Sequence, residues 1–324
     1  MIRTWIICLL ASSCAAYHYP IQFSIPESKI VGRAPIKDRD FAFITPKDRS
    51  TYIYKSEEAY YQDYQRSYFA VTCKKGGWDC MRHYEILANG CIPYFIDLDQ
   101  CPSNTMFFLP KDLIREAMHL PGVGYASMSI DHMRFDHKKY DEILNKLLDY
   151  TRSYLTARAM AEYILKTMGY TGEKPILFLS GEINPDYLRC LSLIGLKQIL
   201  GEKVVDVPKI PYLYQDYPGD VSVLYGRGMS YSKILDADRT DRSLIEQRIK
   251  QKEFGLIIYG SLHRGLPFFK LVQKNYSSDS IVYLCGEDDH QCILMPPCSH
   301  VFLREQSCLR SFGKPIIVLP KRLF

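Results

Sequence analysis

At 324 residues, 47% hydrophobic and 24% charged, the chain has the composition of a soluble globular protein and the length for two domains, each with its own core. Its net charge of +5 favours small anionic ligands and falls far short of the dense basic face of a nucleic-acid binder, so nucleic acid is not an expected partner. The 11 cysteines have no disulfide-scaffold spacing, and Cys91, Cys190 and Cys285 sit inside apolar runs as small hydrophobes, which leans towards a reducing compartment.

The first residues, MIRTWIICLLASSCAAY, place Arg3 before an apolar stretch over residues 5–10 and small residues after it. Residues 1–16 therefore read either as a signal-like segment or as a first buried strand followed by a loop; the stretch is too short to cross a bilayer as a helix. Localisation is cytoplasmic on the cysteine usage, or the secretory pathway or Golgi if the segment is a signal. Two short strands are expected at residues 21–25 and 41–44, because Pro20, Pro26, Pro35 and Pro46 exclude a long helix. A short helix follows over residues 57–65. The tyrosines clustered there (Tyr52, Tyr54, Tyr60, Tyr61, Tyr64, Tyr68) either pack half-exposed or stack on sugars or bases.

Residues 68–97 carry the strongest functional signal. An apolar run over 68–72 reads as a buried strand ending on Lys74, Lys75, Gly76 and Gly77. A helix opens at Asp79, a good N-cap, stops at Gly90, a good C′ residue, and is followed by a strand over 92–96. Two glycines let backbone N–H groups approach phosphate oxygens, the helix N-terminus adds partial positive charge, and the lysines add formal charge. On the helix, Cys80, Tyr84, Leu87 and Ala88 form an apolar stripe, while Arg82, Glu85 and Asn89 form a polar one. The polar stripe is either a solvated face with an Arg82–Glu85 pair or, beside such a loop, a place where a carboxylate accepts hydrogen bonds from a ribose diol.

The run KKGGWDCMRHYEILANGCIPYF resembles the donor-binding segment of exostosin-like glycosyltransferases, including those encoded by large DNA viruses of algae. The resemblance is close over roughly residues 50–115, about a fifth of the chain, and looser elsewhere. It implies that Lys75, with Lys74 nearby, and Arg82 contact a sugar-nucleotide diphosphate and that Glu85 binds the ribose. It also implies a GT-B type fold of two Rossmann-like halves. Such enzymes ordinarily place the acceptor half first, whereas here the donor motif comes early.

Beyond the motif, Asp97 and Asp99 end the second strand and either bind a sugar hydroxyl or cap residues 103–105. Residues 139–168 form a long helical pattern without Pro or Gly, stopped by Gly169, with Arg152 and Arg158 on its solvated face. From Lys174 the pattern restarts. Apolar runs at 176–180, 203–207, 256–260, 281–285, 300–304 and 315–319 alternate with helices near 186–200, 242–252 and 268–275, which predicts a second, mostly parallel sheet. No G-x-G-x-x-G follows its first strand, so a dinucleotide site, or a methyltransferase acting through such a glycine loop, is disfavoured. Gly226-Arg227-Gly228 is too short a signal to weigh.

Strand-end clusters supply Glu182, His263, Asp288 and His290 as candidate bases and Arg264 as a candidate anion contact. The pairs His290-x-Cys292 and Cys298-x-His300 point neighbouring ligands to opposite faces of a strand, which suits zinc poorly. The expectation is an α/β protein: a donor-binding half over 17–138, a linking helix over 139–172 and a second Rossmann-like half over 173–324. Its expected activity is transfer of a sugar from a nucleotide-diphosphate sugar to a glycan acceptor, with no metal required. Donor contacts fall on Lys74, Lys75, Gly76, Gly77, Asp79, Arg82 and Glu85, and the catalytic base on His263, Asp288 or Glu182. The competing expectation is a non-catalytic sugar-nucleotide-binding protein or a degenerate transferase half.

Overall fold

The computed structural model describes residues 16–288, 299–305 and 316–317; residues 1–15, Asp289, His290, Cys292 and Cys298 lie outside them. In chain order, strand β1 (Tyr17–Pro20) precedes β2 (Arg39–Phe41), helix α1 (Glu57–Arg66), β3 (Ser67–Thr72), α2 (Met81–Ala88), β4 (Ile92–Phe95) and α3 (Lys111–Met118). A small hairpin of β5 (Val123–Gly124) and β6 (Ser129–Ile130) leads into α4 (His137–Tyr154) and α5 (Ala157–Thr167). The remainder alternates: β7 (Ile176–Leu179), α6 (Tyr187–Leu200), β8 (Val204–Val207), α7 (Ile245–Lys250), β9 (Leu256–Tyr259), α8 (Phe269–Asn275), β10 (Ile281–Cys285), β11 (His300–Leu303) and β12 (Ile316–Ile317).

The protein is α/β. Strands β2-β3-β4 form a three-stranded parallel sheet, and β12-β1-β11-β10-β9-β7-β8 a seven-stranded one in which every pairing is parallel. The central strands β7, β9 and β10 of the large sheet are continuous buried apolar runs because both of their faces are covered. Ile176, Phe178, Leu256, Ile258, Val282, Leu284 and Phe302 face one core with Leu191 and Ile194 of α6. Their neighbours Leu177, Leu179, Ile257, Tyr259, Tyr283 and Leu303 face the other, with Ile245 and Ile249 of α7 and Val272 of α8. Side chains alternating at period two therefore feed helices on both sides, a Rossmann-like arrangement.

Four expectations are corrected. The strand expected at residues 21–25 forms earlier, as β1, and pairs within the large sheet, so the division at 17–138 is crossed by the chain's first described strand. Residues 21–25 stay buried but direct backbone N–H groups elsewhere: Phe23 N–H to the Asp79 carboxylate at 2.6 Å and Ile25 N–H to the Leu155 carbonyl at 3.0 Å. The long helix expected over 139–168 is two helices. Ile25 pairs with the chain at Thr156, accepting from Ala157 N–H at 2.9 Å, and the Thr156 hydroxyl caps α5 by accepting from Ala159 N–H at 3.1 Å. The two sheets also share a core: Phe69 and Val71 of β3 belong to the same apolar cluster as Ile176 and Phe178 of β7, joined through α4, α5 and α6. Gly195 permits this, because a Cβ there would collide with the Ala157 carbonyl where α6 crosses α5. Arg152, expected in solvent, donates to the carbonyls of Val31 and Gly32 at 2.8 and 3.1 Å.

Candidate functional site between the two sheets

A cavity of about 580 Å³, ample for a small-molecule ligand, opens between the loop following β3 and the C-terminal ends of β9, β10 and β11. Lys75, Gly76, Gly77, Arg82 and Glu85 line one wall; Tyr187, Tyr225, Arg227, Arg264, Asp288 and Arg304 line the other.

The glycine loop is tight, with Lys75 N–H donating to the Gly77 carbonyl at 3.1 Å. Asp97 anchors it by accepting from Lys74 N–H at 2.9 Å, and Asp99 pairs with Arg115, so neither caps residues 103–105. The Lys74 ammonium stands 5.8 Å from the Trp78 ring centre, and Lys74 is not among the cavity residues. Both glycines face carboxylates of the second half. A Cβ on Gly77 would stand 2.5 Å from Glu305 Oε1 and 2.7 Å from Asp288 Oδ1, and a Cβ on Gly76 would collide with Asp288.

Asp79 is not the N-cap. Helix α2 begins at Met81 with Cys80 in the cap position and no side-chain cap bond. The buried Asp79 carboxylate instead accepts from Phe23 N–H at 2.6 Å and from the Tyr84 hydroxyl at 2.7 Å, because those donors are enclosed with it. Burial raises its pKa against the pull of Arg304. Gly90 takes the expected positive φ of 62° after the Asn89 cap.

The polar stripe of α2 is buried, not solvated. Arg82 is 6% exposed and makes no ion pair among the described residues. Its Nη2 donates to the Tyr52 hydroxyl at 2.8 Å, its guanidinium lies 5.7 Å from that ring's centre, and its buried Nη1 has no partner. Lys75 shares the tyrosine, with Nζ 2.7 Å from the hydroxyl and 4.9 Å from the ring centre. Two cations thus converge on one phenol at the cavity wall. Glu85, also 6% exposed, accepts from the Tyr60 hydroxyl at 2.9 Å and from the Ser230 hydroxyl. Burial raises its pKa, opposed by the Ser230 and Tyr60 hydrogen bonds and by Arg82. Asn89 accepts from the Gln65 side chain at 2.8 Å and donates to the Glu85 carbonyl at 2.8 Å, closing the helix end.

Of the candidate bases within the described residues, Asp288 lines the cavity; Glu182 and His263 do not. Glu182 is exposed, its N–H donating to the Arg264 carbonyl at 2.9 Å. His263 packs half-buried, its Nε2 3.2 Å from Cys285 Sγ, and burial lowers its pKa. Asp288 pairs with Arg304, which also donates to the Asp79 carbonyl at 2.6 Å and to Glu305 at 3.1 Å. Glu305, enclosed by these groups, accepts from Asp79 N–H at 2.8 Å, and burial pushes its carboxyl up to about 7. Arg264 is held by Asp186 at 3.2 Å and Glu287 at 3.7 Å. Lys75, Arg82 and Arg227 are therefore the cavity cations without an ion-pair partner among the described residues.

Sequence reasoning passed over Arg304, Arg227, Tyr187, Tyr225 and Ser230. For Arg304 a signal existed, a cation closing the apolar run HVFL at a strand's C-terminal end; for Arg227 it was the Gly226-Arg227-Gly228 triplet, whose first two residues adopt left-handed φ of 60° and 57°. Comparison with known proteins finds no matching family model, curated protein or solved structure. Among the described residues, no three or more His, Cys, Asp or Glu side chains are grouped to hold a metal ion.

Proposed function

We propose that the cavity binds a nucleoside diphosphate sugar and that the protein is a glycosyltransferase built as two Rossmann-like, GT-B-like halves with the donor half first. The observation that carries this reading is Arg82: a buried guanidinium on the cavity wall with no ion-pair partner and an unpartnered Nη1. An isolated buried charge is costly, and an anionic ligand supplies the missing partner. Lys75 stands on the same tyrosine, so the two cations take the diphosphate beside Gly76 and Gly77, and Glu85, a turn further along α2, takes the ribose diol. The sugar then points to the wall carrying Arg227, Tyr225 and Asp288, where a glycan acceptor enters.

In this reading the reaction breaks the bond between the anomeric carbon and the diphosphate oxygen. Lys75 and Arg82 stabilise the negative charge that develops on the departing diphosphate. If transfer inverts the anomeric centre, the acceptor hydroxyl attacks that carbon as a base takes its proton. Asp288, the candidate base at the cavity, has that role, and its pairing with Arg304 fixes where its carboxylate stands.

Calorimetry with a panel of sugar nucleotides, followed by product analysis with glycan acceptors, tests the reading. The wild type should bind at least one donor, Lys75→Ala should abolish binding without loss of fold, and donor should be consumed. Binding without hydrolysis or transfer leaves a sugar-nucleotide binder; failure of every sugar nucleotide to bind overturns the proposal.

A further inference from the structure

Glu85 belongs to the first half, but one of its two oxygens is oriented from the second. The loop after α6 and β8 crosses to α2 and places the Ser230 hydroxyl on Glu85 Oε1, buried from solvent. Ser230 sits at φ 70°, a left-handed conformation that a non-glycine residue holds only when its surroundings enforce it. The enforcing contacts are visible. Ser230 N–H donates to Glu57 Oε1 at 2.6 Å, and the other oxygen of Glu57 accepts from Lys29 Nζ at 2.6 Å. The Ser230 Oγ also lies 2.7 Å from the Tyr61 hydroxyl.

Hydrogen-bond direction follows from donor supply. An ionised carboxylate only accepts, and a serine hydroxyl has one hydrogen to give. Ser230 therefore donates to Glu85 and accepts from Tyr61. On the other oxygen, Tyr64 donates to the Tyr60 hydroxyl at 2.8 Å, and Tyr60 donates to Glu85 Oε2 at 2.9 Å. Each carboxylate oxygen thus receives one hydroxyl, which fixes the plane of the group and leaves acceptor capacity on both oxygens. A pair of vicinal hydroxyls, two donors a few ångströms apart, matches two such oxygens.

Resting on the proposed nucleotide-sugar reading, we infer that Ser230 is a positioning residue for diol recognition: it locks Glu85 in the orientation that selects a ribo- over a deoxyribonucleotide, and it makes that selection depend on docking of the second half against α2. The surrounding groups fit the role. Phenol and serine hydroxyls hold the carboxylate without neutralising it, whereas a lysine in their place would occupy it as an ion pair.

The test compares dissociation constants of adenosine, guanosine, cytidine and uridine diphosphates with those of their 2′,3′-dideoxy forms. The wild type should prefer the ribo form of whichever base it binds by on the order of 100-fold, from two charge-assisted hydrogen bonds. Ser230→Ala should cut that preference by about tenfold while leaving the affinity for the dideoxy form unchanged. Ser230→Gly, which suits φ 70° and lacks the hydroxyl, should match it; Tyr61→Phe, which leaves the loop backbone alone, should shift the preference in the same direction and serves if the loop variants do not fold. A merely structural serine would weaken both forms equally or neither, and either result overturns the inference. Glu85→Gln separates this failure from failure of the underlying reading. If Glu85→Gln abolishes the preference and the Ser230 variants do not, the ribose assignment stands and the positioning role falls. If Glu85→Gln leaves the preference intact, or no nucleoside diphosphate binds the wild type, the underlying reading falls and this inference with it.

Discussion

Replacing Arg82 with Met should make the unliganded protein more stable and the ligand-bound one weaker, and the opposite signs are the diagnostic. Without ligand, Arg82 is a cation 6% exposed whose direct contacts are one hydrogen bond to Tyr52 and that tyrosine's ring, with Glu85 acting on it only through space. Those contacts are worth roughly 2–4 kcal/mol together, against a desolvation penalty of several kcal/mol for a buried ion. Methionine fills similar volume without that penalty, so a gain of about 1 kcal/mol is expected, or about 2 °C in Tm for a chain of this size. Binding moves the other way. Nη1 carries two unspent N–H groups, and two hydrogen bonds from a charged donor contribute about 3 kcal/mol or more, which corresponds to at least ~100-fold in Kd. Arg82→Lys, which keeps the charge but not the fork, should fall between the two. Differential scanning calorimetry of the free protein and titration calorimetry with a sugar nucleotide, the proposed ligand, measure both effects. A variant that is less stable and binds as tightly as the wild type would refute the reasoning, because Arg82 would then be holding the fold and not awaiting an anion.

Glu305 makes stability fall with rising pH: its carboxyl is raised from an ordinary 4.5 to about 7, so its contribution is fully present below 4.5 and is lost as pH rises through about 7. Glu305→Gln should remove that slope, raising stability at pH 8 by roughly 3 kcal/mol relative to its effect at pH 4.5 in urea titrations; parallel pH profiles for the two proteins would count against a buried, raised carboxyl. Gly195→Ala should lower stability by about 1–3 kcal/mol, since its Cβ meets the Ala157 carbonyl and α5 and α6 must separate; unchanged thermal unfolding would show that the crossing is loose.

What could be read from the sequence was local. The β3–α2–β4 unit, its basic glycine loop and the Gly90 stop depend on neighbours within a few residues, and each lies where the spacing of residues 68–97 places it. The strands of the large sheet from β7 onward were legible for the same reason, because their apolar runs are bounded by turns, whereas β1, with the sequence YHYP, carries no such run. The break between α4 and α5 was not, since it depends on Ile25, which pairs with the chain at Thr156 across more than a hundred residues. Asp79 misled for a related reason. An Asp before a helix is a sound cap by local rules, but the carboxylate met the Phe23 N–H and the Tyr84 hydroxyl, both enclosed with it, and bonded those instead.

The stripe of Arg82, Glu85 and Asn89 shows where local reading stops. Its spacing is identical whether water covers it or another part of the chain does. What decides is the supply of hydroxyls from Tyr52, Tyr60 and Ser230, and these come from three separate segments. Those hydroxyls satisfy Glu85 but leave Arg82 with unspent donors, although the cost of burying either ion alone is similar. A fold selected for stability alone would have paired the guanidinium with a carboxylate, as the second half does with Arg264 and Arg304. Among the described residues, Lys75 and Arg82 on one wall and Arg227 on the other are the unpaired cavity cations, whereas Arg264 and Arg304 are already held by carboxylates; under the proposed function it is therefore Lys75 and Arg82, side by side on Tyr52, that take the anion.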